Sequence, residues 1–124
     1  MAELITTAEA PPPGGAYSQA FRTGATLWLA GQVGRHPSTG EVADGVAAQT
    51  RQALRNLEAV LNAAGGSLSS LVKTTCFLTD VAAFAEFNSA YDEVMNGHRP
   101  PRSTVGVQLA GGYLVEIEGV AVIE

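Results

Sequence analysis

The sequence predicts an α+β domain, a mixed β-sheet with two helices packed on one face. Three observations lead there. Two segments place apolar residues at helical spacing and end in glycine. Six segments rich in β-branched and aromatic residues read as strands. The 124 residues contain no repeat, linker or composition break, so residues 1–124 form one domain. The predicted order is β-β-β-α-β-α-β-β.

Each element has its own warrant. "ELITT" opens as an edge strand, and "EAPPPGG" must be a stiff non-helical connector, because proline removes backbone donors. "AYSQAFRTG" and "ATLWLAGQVG" form two strands joined around Gly24. The second alternates, with Leu27, Leu29 and Val33 on one face and Trp28, Ala30 and Gln32 on the other. Asp44 can cap a helix running to about Ala64, whose stripe is Val46, Ala53, Leu57, Val60, Leu61 and Ala64. "SSLVKTTCFLTD" is a strand with Val72, Thr74, Cys76 and Leu78 on one face. Thr79 or Asp80 then caps a helix from Val81 to about Asn96, striped by Phe84, Phe87, Tyr91, Val94 and Met95. "STVGVQL" and "YLVEIEGVAVIE" complete the sheet. The helix-covered face takes Val105, Val107, Leu109, Val115 and Ile117. Arg102, Thr104 and Gly106 then fall on the opposite face, with Glu116, Glu118, Val120, Val122, Trp28 and Ala30. No element remains to cover that face, so a second copy is expected to hide it.

Composition excludes several classes. Hydrophobic residues make up 46% of the chain and charged residues only 15%, and the net charge is -5. Without a basic stripe, nucleic-acid binding is disfavoured. The single cysteine, Cys76, allows no internal disulfide, and its apolar mid-strand setting suits a buried residue better than a nucleophile. His36 and His98 have no spaced partner, so no metal site is expected. The glycine pairs lack nucleotide-loop spacing. No run is long and apolar enough for a membrane span, and "MAELITTAEAPPP" does not read as an export signal. A cytoplasmic protein is the resulting expectation.

One arginine and two carboxylates thus sit on or beside the face that needs a partner. Arg102 can clamp a carboxylate through two parallel hydrogen bonds, and a glutamate in a partly dry site can work as an acid or base. An Arg–Glu ion pair at a subunit interface is the plainer reading, and pattern alone favours it. Asn88 interrupts the stripe of the second helix and needs a partner, for which a loop hydrogen bond suffices. Tyr17, after "PPPGGA", reads as a half-buried strand tyrosine or as a ring aimed by the connector.

Taken together, "GAYSQA", "LAGQVG", "EVADGVAAQTRQAL", "VKTTCFLTD", "FAEFNSAYDEV", "PPRSTV" and "VEIEGVAV" resemble, in order, the RidA (YjgF) family, some members of which carry the label endoribonuclease L-PSP. The resemblance implies a chorismate-mutase-like fold and a homotrimer with sites between subunits. It implies hydrolysis of reactive 2-imino acids, such as 2-iminopropanoate and 2-iminobutanoate, to 2-oxo acids and ammonia, without a cofactor. By position, Arg102 resembles the clamp on the substrate carboxylate and Glu118 the group that orients water. Tyr17 would line the pocket, Gly31 and Thr104 would offer backbone groups, and Asn88 matches the family's helix asparagine. Ala16 and Ala30 replace the proline and serine that many members carry, the link "NGHRPP" is short, and the turn "QLAGGY" departs from the more usual proline-bearing turn. These changes bear on substrate preference. The alternatives are a non-catalytic trimer that binds a small carboxylate, an RNA-cleaving enzyme and a purely structural trimer. The acidic balance and the lack of a His/Lys constellation argue against RNA cleavage.

Overall fold

A computed structural model describes all 124 residues, Met1–Glu124. Six strands and two helices follow one another as β1 (Glu3–Ile5), β2 (Ala20–Thr23), β3 (Thr26–Val33), α1 (Val46–Ala63), β4 (Leu71–Leu78), α2 (Phe84–Met95), β5 (Arg102–Gly106) and β6 (Val115–Val122). The strands form one sheet in the order β1-β2-β3-β6-β4-β5. Only β4 and β5 run parallel, joined by the α2 crossover, and the other pairs are antiparallel. The predicted mixed sheet and element order therefore hold.

The core lies between the sheet and the helices. Val115, Ile117 and Ala121 of β6 are fully buried, as are Leu54, Leu57, Val60 and Leu61 of α1 and Phe87 of α2. The opposite face of β6 carries Glu116, Glu118, Val120 and Val122, as the alternation predicts. One cross-strand row on that open face runs Leu4, Phe21, Trp28, Val120 and Lys73. Trp28 is 52% exposed and Phe21 46%, so an apolar band crosses the sheet uncovered.

The structure corrects five local expectations. First, β3 carries a bulge between Leu29 and Gln32, where three residues of β3 span two of β6. The extra residue reverses the alternation, so Gln32 turns inward while Trp28 stays outside. Second, a similar irregularity at Val72 expels that side chain and buries Leu71 and Thr74 together. Third, Asp44 does not cap α1. Gly45 holds the N-cap position, and no side chain bonds there. Asp80, by contrast, accepts a hydrogen bond from Ala82 N and starts the short 3-10 turn that leads into α2. Fourth, Tyr17 lies in the loop before β2 and not in a strand.

Fifth, the face assignment of β5 is inverted. Thr104 pairs with the buried Cys76, and the Arg102 guanidinium sits over rings of α2, so Arg102 and Thr104 face the helices. Val105 is 42% exposed on the open side, and Val107 and Leu109 lie beyond the strand. Polarity misleads here because the aromatic face of α2 accepts a flat cation as readily as an aliphatic side chain.

Candidate active site

Apart from Glu118, the residues singled out in the sequence gather at two places. The first is a cleft of about 630 Å³ at the β3 bulge, walled by the proline connector and the turn at residues 110–113. Tyr17, Gly31, Arg35, Tyr113 and Glu116 line it. The bulge brings the Gly31 backbone against Glu116. A Cβ at residue 31 would land on Glu116 Oε2, so only glycine leaves room for the carboxylate there. Burial holds the Glu116 carboxyl above the usual carboxylate range, and the charge of Glu118 two residues on adds to the effect. Tyr17 Oη accepts a hydrogen bond from Gly14 N at 3.1 Å, which ties the ring to the connector.

Three buried amides fix the cleft walls. Gln19 Oε1 accepts from Thr7 N at 2.7 Å, and its Nε2 donates to Thr7 O and Pro11 O, stapling the connector to the start of β2. Asn56 on α1 donates to Val33 O and Arg35 O, holding the end of β3. Gln49 donates to Ala43 O and accepts from Leu114 N, which anchors the residues next to the 110–113 turn. Buried amides that satisfy loop backbone groups rigidify the walls they hold.

The second place is a shelf between β5 and α2. Arg102 Cζ lies 4.7 Å from the ring centre of Tyr91, 5.4 Å from that of Phe87 and 5.6 Å from that of Phe84. Arg51, Arg55 and Arg99 each pair with a carboxylate, whereas Arg102 has no acidic partner in the chain. Asn88 is half-buried on the same helix. Its expected loop hydrogen bond does not form within the chain. Thr104 sits two residues along from Arg102 on the same side of the strand. Below them, burial pushes the Cys76 thiol up to about 12 against the pull of the Arg102 charge, so it stays protonated.

The two places stand apart. Arg102 is on the edge strand β5, while Gly31 and Glu116 lie on β3 and β6 with β4 between. The shelf faces the helices and Glu116 faces the open side. Arg102 therefore meets neither Glu116 nor Glu118 within one chain. Glu118 projects from the open face next to Glu116 and does not line the cleft. Sequence reading missed Gln19, Arg35, Gln49, Asn56 and Tyr113. An isolated glycine inside a strand pattern was the available signal for the bulge at Gly31. No three His, Cys, Asp or Glu side chains converge to hold a metal ion. No helix is long and apolar enough to cross a membrane.

Known proteins share this architecture over its whole length. A RutC family protein of Pyrococcus horikoshii is 44% identical over 123 residues, covering 98% of each chain. A 2-iminobutanoate/2-iminopropanoate deaminase of Rattus norvegicus is 41% identical over 122 residues, covering 97% of this chain and 89% of its own. The crystal structure of Escherichia coli TdcF with bound serine superposes with a TM-score of 0.94 at 36% identity, covering 98% of this chain and 99% of that one. The family profile described as Endoribonuclease L-PSP matches residues 7–123. With its motifs, its fold and its relatives in agreement, the chain belongs to the endoribonuclease L-PSP (RidA/YjgF) family.

Proposed function

We propose that this protein hydrolyses small 2-imino acids to 2-oxo acids and ammonia, in sites shared between copies of the chain in a homotrimer. The observation that carries the reading is Glu116, a carboxyl with raised pKa in a cleft beside Gly31 and Tyr17. Relatives named imine deaminases at about 40% identity support the reaction class. A structural relative with bound serine supports a small amino-acid-like ligand.

The chemistry asks little beyond placement. An imine carbon is already electrophilic, so holding it against a water supplies much of the rate. Glu116 takes a proton from that water as its oxygen bonds to the imine carbon. With the substrate bound as its iminium, this addition gives a neutral carbinolamine; Glu116 returns its proton to the nitrogen, and as the carbon–nitrogen bond breaks it takes the hydroxyl proton, releasing ammonia and the 2-oxo acid. Arg102 of a neighbouring copy, unpaired in its own chain, clamps the substrate carboxylate, with Asn88 and Thr104 beside it. Glu116 takes the role that resemblance assigned to Glu118, because Glu116 lines the cleft and Glu118 does not. Glu118 acts on it through charge.

The test generates 2-iminopropanoate in situ with an amino-acid oxidase and follows its loss with semicarbazide as a trap. Arg102→Ala and Glu116→Gln are expected to lower kcat/KM by about 10²–10⁴-fold, and Glu118→Gln by much less. Full activity in Glu116→Gln, with loss in Glu118→Gln, would reverse the assignment of the two carboxylates. A wild-type protein that binds 2-oxo acids without turnover would move it to the carboxylate-binding alternative.

A further inference from the structure

We infer that Thr74 and Tyr91 are positioning residues that together fix the Arg102 guanidinium at both of its ends; this rests on the reading of Arg102 as the carboxylate clamp. The backbone end is held through the sheet. Thr74 is the register partner of Arg102 in the parallel β4–β5 pair, and Thr74 N donates to Pro101 O at 3.0 Å. The far end is held through the ring. The Thr74 hydroxyl meets the Tyr91 hydroxyl at 2.8 Å, and Tyr91 presents the ring closest to the guanidinium.

One residue therefore ties the main chain of the clamp and the surface on which its charged head lies. Thr74 is fully buried and Tyr91 nearly so, so neither hydroxyl has water as an alternative partner. Phe87 completes the shelf, with its ring centre 5.7 Å from that of Tyr91. A guanidinium lying against these rings gains attraction from their faces while its N–H edges stay free for an anion. A carboxylate partner from the same chain would occupy those edges, and none is present. Without the Thr74 bond, the Tyr91 ring can rotate or shift on the shelf, and the guanidinium moves with it. A displacement near 1 Å at such a clamp can cost about 10²-fold in rate or binding.

The experiment compares Tyr91→Phe, Thr74→Val, the double variant and Arg102→Ala in the oligomeric protein, alongside wild type. Tyr91→Phe keeps the ring and removes the hydroxyl, and Thr74→Val keeps the shape. Steady-state assays with 2-iminopropanoate give kcat and KM, and titration with pyruvate gives Kd for a stable 2-oxo acid. Each hydroxyl variant is expected to raise KM and the pyruvate Kd by about tenfold while kcat changes less. The double variant should be no worse than either single, because both remove one link. The pH profile of kcat, which Glu116 sets, should not move. Arg102→Ala must abolish pyruvate binding, and if it does not, the clamp reading itself fails. If Arg102→Ala abolishes binding while folded Tyr91→Phe and Thr74→Val keep wild-type KM and Kd, the positioning proposal is overturned and the clamp reading survives. Should Thr74→Val fail to fold, Tyr91→Phe alone decides the outcome by the same criterion.

Discussion

Glu116 shows how much one position can decide. Its side chain alternates outward from β6 like Glu118, and nothing in "VEIEGVAV" separates the two. The difference is environment: Glu116 lies against the bulge at Gly31 and is desolvated, which lifts its pKa. The consequence for stability has a definite sign. The folded state holds the Glu116 proton more tightly than the unfolded chain, so stability falls as pH rises from the ordinary carboxylate value through the raised one. Above that window the ionised group is a constant penalty. Glu116→Gln is therefore expected to be more stable than the parent at neutral pH, with no such gain below about pH 4. Urea midpoints of both proteins across that range check it, and a difference independent of pH would contradict it. Arg102 makes the complementary point. "PPRSTV" announces an arginine at a strand mouth, but the rings that receive it come from a helix that shares no local pattern with that strand.

At the level of elements, the end of β3 does most to shape the site. The bulge aims Gly31 at Glu116, and the next glycine, Gly34, lets β3 pass close to α1. A Cβ on residue 34 would stand 2.5 Å from Gln49 Cα, which belongs to helix backbone and cannot step aside. A Cβ on residue 31 meets only the flexible side chain of Glu116. The two alanine variants should thus fail differently. Gly34→Ala is expected to lose about 1–3 kcal/mol of stability in urea unfolding. Gly31→Ala should keep most of its stability and lose activity, because it displaces Glu116. Equal stability losses in the two variants would contradict this contrast. The helices were legible because their apolar stripes and glycine stops are local, and α1 and α2 lie within a few residues of where the pattern places them. The buried amides Gln49 and Asn56 were not legible. They sit within the α1 pattern as ordinary polar residues, and their acceptors are loop carbonyls distant in sequence.

For the whole molecule, the two halves of the site and the uncovered band argue for the same assembly. Trp28 sits in the middle of the row from Leu4 to Val120. Trp28→Glu, which places a charge in the apolar band that the proposed assembly would cover, is expected to yield monomers by sedimentation and to abolish activity while the fold persists. A stable, active monomer of the parent protein would remove the shared site. Subunit mixing gives a sharper test. Arg102→Ala and Glu116→Gln are each expected to be inactive alone, whereas a hybrid site can draw Arg102 from one copy and Glu116 from the other. Random mixing in equal amounts should restore about a quarter of the sites if the halves belong to different chains. No recovery from verified hybrids would place both groups in one chain's site.

The sequence alone was enough for the family motifs, the element order and the alternation of β6, because each rests on short-range periodicity or on residues adjacent in the chain. The open apolar face was also legible, since counting by twos along β6 and the first half of β3 finds it. Tertiary structure decided the rest. Strand parity tells which residues share a face but not which face a helix covers, and a single inserted residue in β3 or β4 reverses it. The bulge in β3 turned Gln32 inward and set Gly31 against Glu116 rather than Glu118, while the register of β5 on β4 turned Arg102 toward α2.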